Sequence, residues 1–127
     1  MKFAAVIVVL SILGLAYVRL APSDPARWHV DPTLAVDPGN RGVLRRNPVA
    51  IAEFDRIARA RPRVEVLAGS VAEGHITYVV RSAVLGFPDY ITAKQDGADL
   101  VVLSRLRFGL ADMGVNRARL NAWFNGL

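Results

Sequence analysis

The chain opens with an apolar run, Phe3 to Leu20, behind Met1 and Lys2 and broken by Ser11 and, near its far end, Arg19. A bilayer core takes about 20 helical residues, so this run predicts a transmembrane helix over residues 1–20, with Tyr17 suited to the interface and Arg19 able to snorkel. Its rival is a cleaved signal peptide, for which Gly14 and Ala16 supply small residues before a cut at Tyr17. The run exceeds the usual apolar region of a signal, about 7 to 15 residues, and this favours a retained anchor. From Ala21 to Arg46 the apolar period disappears, and Pro22, Pro25, Pro32, Pro38, Gly39 and Gly42 take over. That composition predicts an extended, fairly stiff tether over residues 21–46, with Trp28 and Val30 as docking points.

A helical period returns after Asn47-Pro48, where Ile51, Phe54 and Ile57 recur at three-residue spacing ahead of Pro62. Strands follow at Arg63–Ala68, at His75–Ser82 with Ile76, Tyr78 and Val80 on one side, at Asp89–Gln95 and at Ala98–Arg107. Asp96-Gly97 reads as the two-residue hairpin turn between the last two. It would set Gln95 opposite Ala98, Ile91 opposite Val102 and Asp89 opposite Ser104. One face then holds Ile91, Ala93, Leu100, Val102 and Leu106; the other holds Tyr90, Thr92, Val101, Leu103, Arg105 and Arg107. The closing helix begins at Arg117, with Asn116 as its cap, and buries Leu120, Trp123, Phe124 and Leu127. The expected domain, residues 47–127, is α+β in the order α-β-β-β-β-α, a four-stranded antiparallel meander with both helices on one face.

Composition narrows the chemistry. The 127 residues contain no cysteine, so disulfides, thiol nucleophiles, zinc-thiolate sites and lipid attachment through a cysteine are all excluded. A formal charge of +5 favours anionic neighbours, but the arginines are spread among Asp and Glu and give only a weak surface preference. Arg41, Arg45 and Arg46 read as a solvated loop. Nucleic acid is not an expected partner, since an exported domain would rarely meet it.

The stretch Ser104–Leu120, S-R-L-R-F-G-L-A-D-M-G-V-N-R-A-R-L, sets arginines, turn glycines and a helix start at fixed offsets. It resembles the C-terminal signature of the domain of unknown function 1499 family, whose usual form is R-S-x-S-R-x-G-x-x-D-x-G-x-N-R-x-R. Ser104, Arg107, Gly109, Asp112, Gly114, Asn116, Arg117 and Arg119 match it by position, whereas Leu103 and Leu106 replace its leading arginine and second serine. Trp28, Pro32, Pro62-Arg63, Tyr78 and Gly86-Phe87-Pro88-Asp89 extend the likeness in the same order. The resemblance implies a small membrane-associated bacterial protein, and the family carries no established chemistry.

No H-E-x-x-H, G-x-S-x-G or G-x-x-x-x-G-K occurs, and His29 and His75 are the two imidazoles. Ser104, His75 and Asp89 can be drawn as nucleophile, base and orienter, yet small sheets offer such triples by accident. His29 lacks a metal partner at helical or strand spacing; neither metal nor cofactor is expected. The better site hypothesis is an anion, phosphate or carboxylate, held by Arg81, Arg105 and Arg107 with Asn116 and the backbone amides at the start of the last helix. Against it stands a plain alternative in which Asp112 or Asp89 accepts a forked hydrogen bond from these arginines and locks the turn. Arg117 and Arg119 are expected to face solvent, and Trp28 to be an interfacial or packing aromatic. The sequence therefore points to a single-pass protein of a bacterial-type cytoplasmic membrane with a periplasmic or extracellular domain. That domain would act by binding or assembly on an unknown envelope protein and not by catalysis. The rival is a receptor or hydrolase for a small anionic ligand, built on the arginine-bearing strand.

Overall fold

A computed structural model describes all 127 residues, Met1–Leu127. The apolar run forms helix α1, Lys2–Leu20, which buries none of its residues against the rest of the chain. A short helix α2 (Pro25–Trp28) follows, capped by the Asp24 carboxylate on the Ala26 amide, and two 3-10 turns at Pro32–Leu34 and Gly39–Arg41 lead into the sheet. Strand β1 is Gly42–Asn47, helix α3 is Ile51–Ala60, and strands β2 (Val64–Ser70), β3 (His75–Arg81), β4 (Pro88–Asp96) and β5 (Asp99–Leu106) precede helix α4 (Val115–Asn125).

The sheet has five strands, not the expected four, in the order β1-β5-β4-β3-β2 with every pair antiparallel. The additional strand is β1, drawn from the stretch expected to be tether. It runs along β5 from Gly42 opposite Arg105 to Asn47 opposite Leu100. Because Asn47 belongs to this strand, the next helix starts at Ile51, and Gln95 supplies the missing cap by accepting the Ile51 amide at 2.7 Å. Gly42 is required by close approach: a Cβ there would meet the Ser104 carbonyl oxygen. Strand β2 carries a bulge between Val66 and Ala68.

The hairpin turn also sits one residue later than expected. Asp96 pairs with Asp99, so Gly97-Ala98 are the central residues, and Ile91 faces Ser104 while Ala93 faces Val102. Gly97 takes φ 60 at the first central position. That turn needs positive φ only from glycine, whereas an Asp96-Gly97 turn would also force it on Asp96. Pairing slips by two residues, so every side chain keeps its predicted face.

Ile76, Tyr78, Val80, Ile91, Ala93, Leu100 and Val102 form one face and pack against Phe54 and Ala58 of α3 and Leu120, Trp123 and Phe124 of α4. Both helices cover this face, as the strand pattern implied. Phe54 centres an aromatic cluster, 5.7 Å from Trp123 and 5.5 Å from Phe124 between ring centroids.

The opposite face is closed by the chain's own N-terminal segment. Residues 21–41 do not stand away from the domain as a tether but lie across β3, β4 and β5 as a strap. Trp28 stacks on Tyr90 with ring centroids 3.9 Å apart and an interplanar angle of 7°, and with Val79 the pair makes a second small core. Polar ties flank it: Ser23 Oγ to Tyr90 OH at 2.7 Å, Lys94 to Asp31 at 2.7 Å, and His75 Nε2 donating to the Val30 carbonyl at 2.7 Å.

Candidate functional site

Strand β5 and the turn after it carry the signature residues, and period two divides them between the faces of the sheet. Ser104 lies on the helix-covered side, Arg105 and Arg107 on the strap side.

On the helix side, Ser104 and Asn116 are both fully buried. The Ser104 hydroxyl donates to Asn116 Oδ1 at 2.5 Å, and Arg119 donates to the same oxygen at 2.8 Å. Asn116 Nδ2 and its backbone amide both donate to Asp112 Oδ2, at 3.0 and 3.2 Å. Asp112 Oδ1 accepts the Gly114 amide at 2.9 Å, so the first turn of α4 is capped by Asp112, and Asn116, expected to be the cap, lies inside the helix. Burial acts to raise the Asp112 carboxyl, but these hydrogen bonds and the Arg119 charge outweigh it and hold the group below its ordinary value. Arg119 does not face solvent as expected. It pairs with Asp89 at 3.1 Å, both side chains mostly buried, while burial pushes the Asp89 carboxyl above its usual range. Arg117 is exposed. The turn is tied back to the stretch before β1 by the Asp112 amide on the Asn40 carbonyl and by Arg41 on the Gly109 carbonyl, each at 2.9 Å.

On the strap side, Arg105 donates to the Trp28 carbonyl at 2.6 Å and to Thr92 Oγ1 at 3.2 Å, with its guanidinium 5.2 Å from the Trp28 ring centroid. Burial lowers its pKa to about 10, which leaves it a cation at neutral pH. Arg107 donates to the Pro22 carbonyl at 2.9 Å and to Tyr90 OH at 3.0 Å. Neither arginine reaches Asp112 or Asp89; each is shared between a strap carbonyl, a group with no side-chain signal in the sequence, and a hydroxyl of β4. Arg81 lies elsewhere, on the Gly86 carbonyl at 2.9 Å. The four residues proposed for an anion, Arg81, Arg105, Arg107 and Asn116, therefore do not converge. Trp28 is a packing aromatic, and its role as the centre of the strap is what the sequence reading lacked.

The triple of Ser104, His75 and Asp89 is not assembled either. His75, at the start of β3, points to the strap side with Thr77 and stacks on His29 at 3.8 Å between ring centroids, with the sheet between it and Ser104. His29 Nδ1 shares a 2.7 Å hydrogen bond with Thr77 Oγ1. Burial, then the neighbouring His75, lowers the His29 pKa below 6.5, partly offset by Glu73. A histidine depressed in the folded state leaves more protons on the unfolded chain, so its contribution is complete above pH 6.5 and lost as pH falls through the folded value. The melting temperature is accordingly expected to drop between about pH 7 and pH 5, and His29→Gln to flatten that slope; an unchanged slope in the variant would remove His29 as its source.

The architecture thus defines a small α+β domain, a five-stranded antiparallel sheet with two helices on one face and its own N-terminal strap on the other, carried behind an apolar helix. The chain belongs to the family described as protein of unknown function (DUF1499), whose model matches residues 19–127. The match takes in the strap and β1 as well as the signature turn. No curated protein and no solved structure matches the chain.

Proposed function

We propose that the protein is a membrane-anchored envelope protein whose domain works at the bilayer surface by binding or assembly and not by catalysis. The observation that carries this reading is the direct junction of the apolar helix with the domain. Arg19, in the last turn of α1, donates to the Val84 carbonyl at 3.0 Å, Tyr17 meets Phe108 edge-on at 6.0 Å, and Ala21 is buried. At about 1.5 Å per residue the 19 residues of α1 span about 28 Å, close to the hydrocarbon thickness. A folded unit that begins where the span ends is placed for partners on or in the membrane. The separation of Ser104 from His75, and the engagement of Arg105 and Arg107 by strap carbonyls, argue against a hydrolase or anion receptor on the strand face.

The full-length protein is expected to stay in membranes through a carbonate wash with residues 1–20 intact; mature protein beginning at Tyr17 would contradict the anchor. Protease added to spheroplasts should digest the domain, and protection would place it on the cytoplasmic side.

A further inference from the structure

The end of the sheet that meets α1 combines exposed apolar side chains with a cleft rich in arginine. It gathers the loop from β3 to β4, residues 82–87, and the loop from β5 to α4, residues 107–114, since β4 and β5 are antiparallel and Asp89 opposes Leu106. Val84, Leu85 and Phe87 in the first loop, and Leu110 and Met113 in the second, are exposed, with Leu110 at 89% and Met113 at 90%. Beside the first loop opens a cleft of about 320 Å³ lined by Arg19, Arg63, Arg81 and Glu65. None of the three arginines forms a salt bridge, and each spends a donor on a backbone carbonyl, Arg19 on Val84, Arg63 on Arg81 and Arg81 on Gly86. Arg63 and Met113 also hold left-handed backbone, φ 59 and 55, which non-glycine residues adopt at a cost and which tends to mark working surfaces.

We propose that this end of the domain docks on an anionic bilayer, with a phospholipid headgroup phosphate in the Arg19, Arg63 and Arg81 cleft and the Val84, Leu85, Leu110 and Met113 tips in the headgroup region. This rests on the reading of α1 as a membrane anchor, because Arg19 ends that helix and so fixes the cleft at headgroup depth. Three features then coincide at this end of the sheet: exposed apolar tips, three guanidiniums that outnumber the one carboxylate of the cleft and form no ion pair with it, and the end of the span. Apolar insertion combined with basic contact is the usual physics of interfacial binding. The guanidinium fork suits a phosphate's oxygens, and the carbonyls that hold each arginine pre-order it for that contact. Glu65 also lines the cleft and offsets one of its three positive charges, which leaves a net charge suited to a single phosphate.

The absence of cysteine allows a clean test. Full-length protein carrying Leu110→Cys, labelled with an environment-sensitive fluorophore, is placed in nanodiscs of phosphatidylcholine alone or with phosphatidylglycerol; Glu73→Cys, in the turn at the far end of the sheet, is the control. Phosphatidylglycerol is expected to shift the label at 110 to an apolar environment and leave the label at 73 unchanged. High salt should reverse the shift in the same protein, a readout that needs no further mutation. Arg63→Gln with Arg81→Gln should lower the docked-to-undocked ratio by more than about tenfold, at about fivefold per arginine, whereas the paired Lys replacements should retain most of it. Equal emission on neutral and anionic discs, insensitivity to salt, or the same response at 73 would overturn the proposal. So would a response of the neutral discs to inorganic phosphate that matches phosphatidylglycerol, since the cleft would then take a soluble anion. Protein eluting apart from the discs would reject the anchor and this surface with it; protein that stays with the discs but ignores lipid charge rejects the surface alone.

Discussion

Replacing Trp28 with alanine is expected to cost about 3–5 kcal/mol of stability, a fall in melting temperature on the order of 15 °C for a domain of this size. Trp28 is 7% exposed and stacked on Tyr90, so truncation leaves a cavity over the middle of β4 and removes the ring facing the Arg105 guanidinium. A tryptophan on a solvated tether would give a change within about 0.5 kcal/mol. Urea unfolding of the full chain in detergent separates the two. The same variant should expose Arg105, whose strongest acceptor is the carbonyl of residue 28 itself. Loss of the ring therefore loosens the strap without deleting that acceptor, and partial order in residues 21–38 should persist.

Asn116→Ala is expected to be the second most damaging single change, at about 2–3 kcal/mol, because it strands several buried groups at once. Ser104 loses the acceptor of its hydroxyl, Arg119 loses one of two acceptors, and Asp112 loses the side-chain donor that helps it cap α4. Asp112→Ala removes the cap through the same contacts, so the double variant should fall short of the sum of the singles by about 1 kcal/mol or more. Additive losses would show that the two residues act independently. If Asn116 instead served a bound anion, its alanine variant would keep its stability and lose only a phenotype.

Much of this fold was legible in the chain because two periods were strong. The alternation of Ile76, Tyr78 and Val80, and of Ile91 and Ala93 against Leu100 and Val102, fixed which face takes the helices. That parity survived a wrong turn position, because a turn moved by one residue slips pairing by two. In the structure the same parity puts Ser104 and His75 on opposite faces, which breaks the triple drawn from the sequence. What escaped was structure without a period of its own. Val43 and Arg45 are the inward pair of a six-residue strand, and Arg45 covers Phe124 at 4.4 Å with a charged head, so β1 shows no apolar alternation. The strap is held by single contacts, Trp28 on Tyr90 and backbone carbonyls on arginines, and a carbonyl acceptor is invisible in any sequence. For that reason Arg105 and Arg107 looked like ligands for something outside. The acidic partners named for them were present but taken: Asp89 by Arg119, and Asp112 by the first turn of α4.

The signature turn is accordingly a lock with two sides. Ser104, Asp112, Asn116 and Arg119 fasten α4 to the sheet, while Arg105 and Arg107 fasten the strap, and the strap begins where the apolar helix ends. Closure of the strand face by residues 21–41 joins the apolar helix to the domain, and tryptic cleavage at the Arg27–Trp28 bond of the native full-length protein tests it most directly. With the strap seated, that bond lies in α2 against Tyr90 and should stay intact until the domain unfolds, then be cut in Trp28→Ala under conditions that spare the parent chain. Cleavage of the native protein at the rate of the denatured chain would mean that residues 21–38 are free, and that the arginine-bearing face is open.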